Sequence, residues 1–175
     1  MELSAGDLES LIALADTFLD QAWWQDKQGQ DPRPALSRAV DTYAQALAAD
    51  SRNVAAANTM GQALLLGSRF EAAHGLDPSV SQERAIDSFQ RALRIDPDLS
   101  FALRNLARAA IERADAQARR GVDPSRGLGE VAGFIETLRG DPALSVRAEA
   151  IASLHAREEL KLKSVSRRSG AQRGR

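Results

Sequence analysis

The sequence predicts an all-α fold, an α-solenoid of three helix-turn-helix repeats closed by a C-terminal capping helix. Three observations lead there. The stretch GQDPRPALSRAVDTYAQALAADS at 29–51 is paraphrased as GLDPSVSQERAIDSFQRALRIDP at 75–97, and more loosely as GVDPSRGLGEVAGFIETLRGDP at 121–142. The landmarks keep step: Gly29, Gly75 and Gly121 stand 46 residues apart, as do Asp31-Pro32, Asp77-Pro78 and Asp123-Pro124. Inside each copy the apolar residues recur with the period of a helix, and no stretch alternates with the period of a strand.

The elements follow in order. A first helix over about 7–27 ends before Gly29, because glycine takes up the positive φ of a helix terminator at little cost. Asp31 and Pro32 then open the next helix: aspartate caps it, and proline suits a first helical position where no N–H is needed. That helix, about 33–49, lines up Ala39, Tyr43, Ala46 and Leu47 on one face. A third, about 53–74, contains no proline between Val54 and His74. The fourth, about 79–95, repeats the stripe as Ala85, Phe89, Ala92 and Leu93. Two alanines let a neighbouring helix approach, and the aromatic fills the gap between them. Asp96-Pro97 is expected to stop this helix and launch a fifth, about 98–120, free of proline and glycine from Phe101 to Arg120. A sixth over about 126–139 carries Phe134 as the third aromatic, and Asp141-Pro142 leads to a seventh over about 143–162. The units therefore run about 7–51, 52–97 and 98–142, with a cap at 143–162, in one repeat domain over 1–160 followed by a basic tail at 163–175.

Composition agrees with a packed domain: 175 residues, 43% apolar and 27% charged. No apolar run approaches the roughly 18–20 residues that span a bilayer. The opening MELSAGDLES is acidic and lacks a leader pattern, and there is no cysteine, which excludes disulfides and thiolate metal sites. A cytoplasmic chain without a membrane partner is the expectation. The net charge is −1, but Lys161, Lys163, Arg167, Arg168, Arg173 and Arg175 fall in a C-terminal stretch without an acid, so the body is acidic and the tail basic.

These residues resemble tetratricopeptide repeats, whose second helix carries Ala, an aromatic four residues on, Ala three further, and then Pro. Ala85, Phe89, Ala92 and Pro97 match all four places, and Ala39, Tyr43 and Ala46 match three, with Ser51 in place of Pro. The third copy keeps Phe134 and Pro142 but has Val131 and Thr137 for the alanines and has lost one residue. Met60-Gly61 and Leu106-Ala107 are similar to the Leu-Gly pair of the family's first helix. The family repeat is about 34 residues long, and the excess here falls between Gly61 and Ala85. In this the chain resembles the long-helix repeats that follow the kinase domain in some large bacterial serine/threonine kinases.

The resemblance implies a right-handed solenoid and a protein–protein interaction scaffold, which binds a partner protein or peptide through its concave face. The family's groove is lined by first helices. Its offsets select Asp16 and Asp20 in the first copy, Asn58 and Gln62 in the second, and Arg104, Asn105 and Arg108 in the third. Arginine forks suit a peptide carboxylate, while the bland reading of all seven is the solvated face of an amphipathic helix. The alternatives are a non-catalytic regulatory or sensing segment of a bacterial serine/threonine kinase, and a nucleic-acid-associated helical repeat using the basic tail. Nucleic acid is the less favoured partner, because the acidic body offers no basic face to extend the tail.

Nothing points to an enzyme. There is no cysteine, no G-x-S-x-G, and no His-Arg-Asp or Asp-Phe-Gly of a kinase. No cofactor or metal is expected. His74 and His155 lack neighbours that would make either a ligand, and Glu158-Glu159 reads as a charged helix end. GLGEVA at 127–132 matches a dinucleotide pattern only formally, since that motif needs a preceding strand. Adjacent Trp23 and Trp24 point about 100° apart on a helix, so one is expected in the core and the other at a surface.

Overall fold

A computed structural model describes the backbone of residues 5–139 and the side chains of residues 6–134. Among the described residues there are six helices and no strand: α1 (Ala5–Lys27), α2 (Arg33–Ala49), α3 (Val54–Ala73), α4 (Ser79–Ile95), α5 (Ser100–Arg119) and α6 (Ser125–Arg139). The seventh expected helix (143–162) and the basic tail lie outside the described residues. The chain divides into two compact units, one through Ala102 and one from Leu103, the division falling inside α5.

The Gly-x-Asp-Pro junctions recur as one device. Gly29, Gly75 and Gly121 have φ of 70°, 72° and 75°, and no other described residue has a positive φ. Each ends its helix in the same hydrogen-bond pair. Gly29 N–H reaches Asp26 O and Gln30 N–H reaches Gln25 O (3.0 and 2.9 Å); the later turns use Gly75 to Ala72 with Leu76 to Glu71, and Gly121 to Ala118 with Val122 to Gln117. This is the Schellman closure, and it needs the left-handed residue that glycine supplies most cheaply. Two residues on, the aspartate caps the next helix: Asp31, Asp77 and Asp123 accept from the N–H groups of Arg33, Ser79 and Ser125 at 3.0, 3.1 and 2.9 Å. Pro32 and Pro78 already have helical dihedrals, and their carbonyls accept from Leu36 and Gln82. Proline is thus the first helical residue and aspartate the cap.

The other junction differs from expectation. Asp96-Pro97 does not launch a helix directly. Asp96 accepts from Asp98 N–H at 3.1 Å, making a tight turn, and α5 starts only at Ser100. The same turn follows α2, where Asp50 accepts from Arg52 N–H at 3.0 Å, and Asn53 then caps α3 by accepting from Ala56 N–H at 2.9 Å.

In the first unit α1 packs on α2, α2 on α3, and α3 on α4, with a lighter contact of α1 on α3. The predicted stripes are its core. Ala39, Tyr43, Ala46, Ala85, Phe89 and Ala92 are all 0% exposed. From α1 the core takes Ala15, Leu19 and Ala22, and from α3 a continuous run from Ala63 to Leu66. Arg91 ties α4 back to the end of α2 by donating to Ser51 O at 3.0 Å.

The third aromatic departs from the pattern. Phe134 is half-buried, while Leu128 and Val131 carry the buried stripe of α6. The lost residue explains it. Phe134 stands three places after Val131, whereas Phe89 stands four after Ala85, and one residue turns a helix by about 100°.

Candidate functional site

The seven residues selected from the sequence lie on α1, α3 and α5. On α1 the inward positions are Ala15, Leu19 and Ala22, while Asp16 and Asp20 are exposed. The Tyr43 hydroxyl donates to Asp16 Oδ1. Burial, that hydrogen bond and the carboxylates of Asp16 and Asp20 together push ionisation of the phenol well above its ordinary range. Asp16 is therefore committed to its own fold, satisfying a buried hydroxyl, which is a role the sequence reading did not assign to it.

On α3, Asn58 is 3% exposed and already held within the protein, and Gln62 is half-buried. Both sit where α3 packs closely, with Gly61 between them and Phe89 of α4 pressing on it. On α5, Arg104 and Arg108 are exposed and one turn apart, opposite the buried Leu103, Leu106 and Ala110, while Asn105 is half-buried and engaged. No described residue hydrogen-bonds or ion-pairs with either guanidinium. Asp16 and Asp20 are thus gathered at Tyr43, and Arg104 and Arg108 form an open basic pair. Asn58 is packing.

The remaining sequence features find ordinary places. His74 caps α3; its Nδ1–H donates to Phe70 O at 2.8 Å and its ring stacks on Phe70 at 3.9 Å between centroids. His155 lies outside the described residues. GLGEVA opens α6 after helix α5 rather than after a strand. Trp24 is 57% exposed and Trp23 half-buried, so neither is fully in the core. No helix of the described residues is long and apolar enough to cross a membrane, and no group of His, Asp or Glu among them is arranged to hold a metal ion.

A second feature was not anticipated. Where α2, α3 and α4 meet, a cavity of about 220 Å³ opens at the surface, with Leu36, Val40 and Leu64 among its apolar walls. Glu71, Asp41, Arg33 and Arg84 supply its charges. Asp31 grips Arg33 through both carboxylate oxygens, with Nη2 at 2.6 Å from Oδ2 and Nε at 2.9 Å from Oδ1. The grip holds the Asp31 carboxyl below the usual carboxylate range. Glu71 Oε1 accepts from Ser81 Oγ at 3.1 Å, but Oε2 is buried without a hydrogen-bond partner.

Compared with known proteins, the chain matches no family model and no curated protein sequence.

Proposed function

We propose that the chain is a non-catalytic binding scaffold, a tetratricopeptide-like helical repeat that recognises a partner polypeptide through the exposed face of α5. The observation that carries this reading is the Arg104–Arg108 pair. Two guanidinium groups stand one turn apart on α5, exposed and without an acidic partner among the described residues, on a helix whose other face is fully buried. Solvated arginines that serve only solubility commonly find an i,i+4 acid, and Arg126 with Glu130 on α6 is such a pair at 3.1 Å. Arg108 has Glu112 at that spacing yet makes no ion pair with a described residue, and Arg104 has Arg108 itself four places on. Their spacing suits a carboxylate, which guanidinium groups hold with two parallel hydrogen bonds. The partner is accordingly an acidic polypeptide segment or a chain terminus.

Site-specific photo-crosslinking tests the reading. A photoreactive residue at Arg104 or Arg108 is expected to trap one and the same polypeptide, while the same residue at Arg126 or Glu130, exposed on α6 of the same unit, traps none of it. Equal trapping from both sets of positions contradicts the assignment of the face.

A further inference from the structure

We infer that the cavity between α2, α3 and α4 is a socket for an arginine side chain presented by a partner polypeptide. The inference is independent of the α5 face and rests on a comparison the protein makes with itself. In the second unit Arg113 on α5 donates from Nη2 to Gly127 O on α6 at 2.9 Å. Its guanidinium lies so near Gly127 that a β-carbon there would come within 2.5 Å of Nη2. Forty-six residues earlier, the places of Arg113 and Gly127 are held by Gly67 and Ser81. Both line the cavity. The first unit thus lacks the arginine that the second unit carries at the corresponding place.

The chemistry of the walls matches that missing group. Leu36, Val40, Ala63 and Leu64 offer an apolar wall for a three-methylene stem. Glu71 replaces the Gln117 of the second unit. Gln25, Glu71 and Gln117 all leave a buried side-chain oxygen unpaired beneath their Schellman turns. Only at 71 is that oxygen part of a carboxylate, for which burial without a partner is most costly. Facing it from α2 are Arg33 and Asp41, and from α4 Arg84. Arg33 is already claimed by Asp31 and lies over the Phe70 ring at 5.2 Å from its centroid. Arg33, which also feels the charge of Glu71, and Arg84 face the two acids Asp41 and Glu71, but neither hydrogen-bonds Glu71 Oε2, and an incoming cation with several donors would supply that bond. A guanidinium fits better than an ammonium, because its planar fork reaches the carboxylate and a neighbouring hydroxyl or carbonyl together.

The test uses the full chain, isotopically labelled, titrated with N-acetyl-arginine methylamide and followed by NMR. Saturable shifts are expected at Gly67, Glu71 and Ser81. The citrulline analogue, equal in shape but uncharged, is expected to bind at least about tenfold more weakly. Gly67→Arg should abolish binding by filling the socket from within; its new β-carbon would meet only Leu36 Cδ1 at 3.5 Å, an ordinary contact. Glu71→Gln, nearly isosteric, should weaken binding while leaving the helical signal unchanged. No saturable shift, equal binding of citrulline, or undiminished binding by both variants overturns the proposal. So does movement of the same resonances, without any probe, when Arg167, Arg168, Arg173 and Arg175 are changed to Gln, since the occupant would then be the chain's own tail.

Discussion

The ring of Phe89 on α4 lies across Gly61 on α3 so closely that a β-carbon at 61 would come within 2.6 Å of Cε1 and 2.8 Å of Cδ1. Phe89 is 0% exposed, so the ring has no free space to retreat into. Alanine normally improves a helix over glycine by up to about 1 kcal/mol. Here the clash wins, and Gly61→Ala should cost about 1–3 kcal/mol in urea unfolding. Phe89→Ala should cost about 3–5 kcal/mol. In the double variant the penalty of Gly61→Ala should largely vanish, because the ring that the added methyl strikes is gone. Additive costs would mean that the two residues do not touch.

Tyr43 makes its own prediction. It is the only tyrosine of the chain, so tyrosinate absorbance reports one site. Its ionisation is raised by burial, by the bond to Asp16 and by the charges of Asp16 and Asp20. A raised value stabilises the fold below the unfolded phenol's pKa of about 10, and that stability is lost as pH rises beyond it. Tyrosinate should therefore appear only together with loss of helical signal. Ionisation at about pH 10 in a fully helical protein would contradict the burial of the hydroxyl.

The Tyr43–Asp16 bond also separates two neighbouring acids. Asp16→Ala leaves a buried hydroxyl unsatisfied and should cost about 1–3 kcal/mol. Asp20→Ala, on the same exposed face, should stay within about 0.5 kcal/mol. On a Tyr43→Phe background the cost of Asp16→Ala should fall to that of Asp20→Ala. Thermal or urea unfolding of these variants decides it.

Acid should act through Asp31. Arg33 holds its carboxyl below the ordinary range, so its contribution is present above the unfolded value of about 3.9 and is lost as pH falls through the folded one. Asp31→Asn keeps a capping acceptor for Arg33 N–H but gives up the charge. The variant should melt below the wild type at neutral pH, and the gap should close on acidification. A gap that stays constant with pH would exclude the carboxylate–guanidinium pair as its source.

Much of the fold was legible because the junctions use residues with few options. A left-handed turn asks for glycine, a capping site for aspartate, a first helical place for proline, and these recur at Gly29, Gly75 and Gly121 in step. The Asp96-Pro97 junction misled because the same dipeptide also serves a turn, and only the hydrogen bond to Asp98 N–H distinguishes the two. Phe134 misled because matching by type ignored the rotation that one lost residue imposes. The Tyr43–Asp16 pair could have been read by comparing copies: tyrosine stands where the second copy has Phe89, and Asp16 where the later copies have Gln62 and Arg108. Asn58 was selected by its offset along a helix, which says nothing of how tightly that helix is enclosed. The cavity was invisible as a motif because it consists of a missing side chain, Gly67 in the place of Arg113.

The binding scaffold itself is tested most directly at Arg104 and Arg108. Once photo-crosslinking has identified the partner, its affinity is measured by calorimetry for the wild type and for Arg104→Glu/Arg108→Glu, with the helical signal and melting temperature of both recorded. Both side chains are exposed, so the variant should fold unchanged, and its affinity should drop by at least about tenfold, the loss of one or two charge-assisted contacts. A folded variant that binds the same partner with undiminished affinity would contradict recognition through this face.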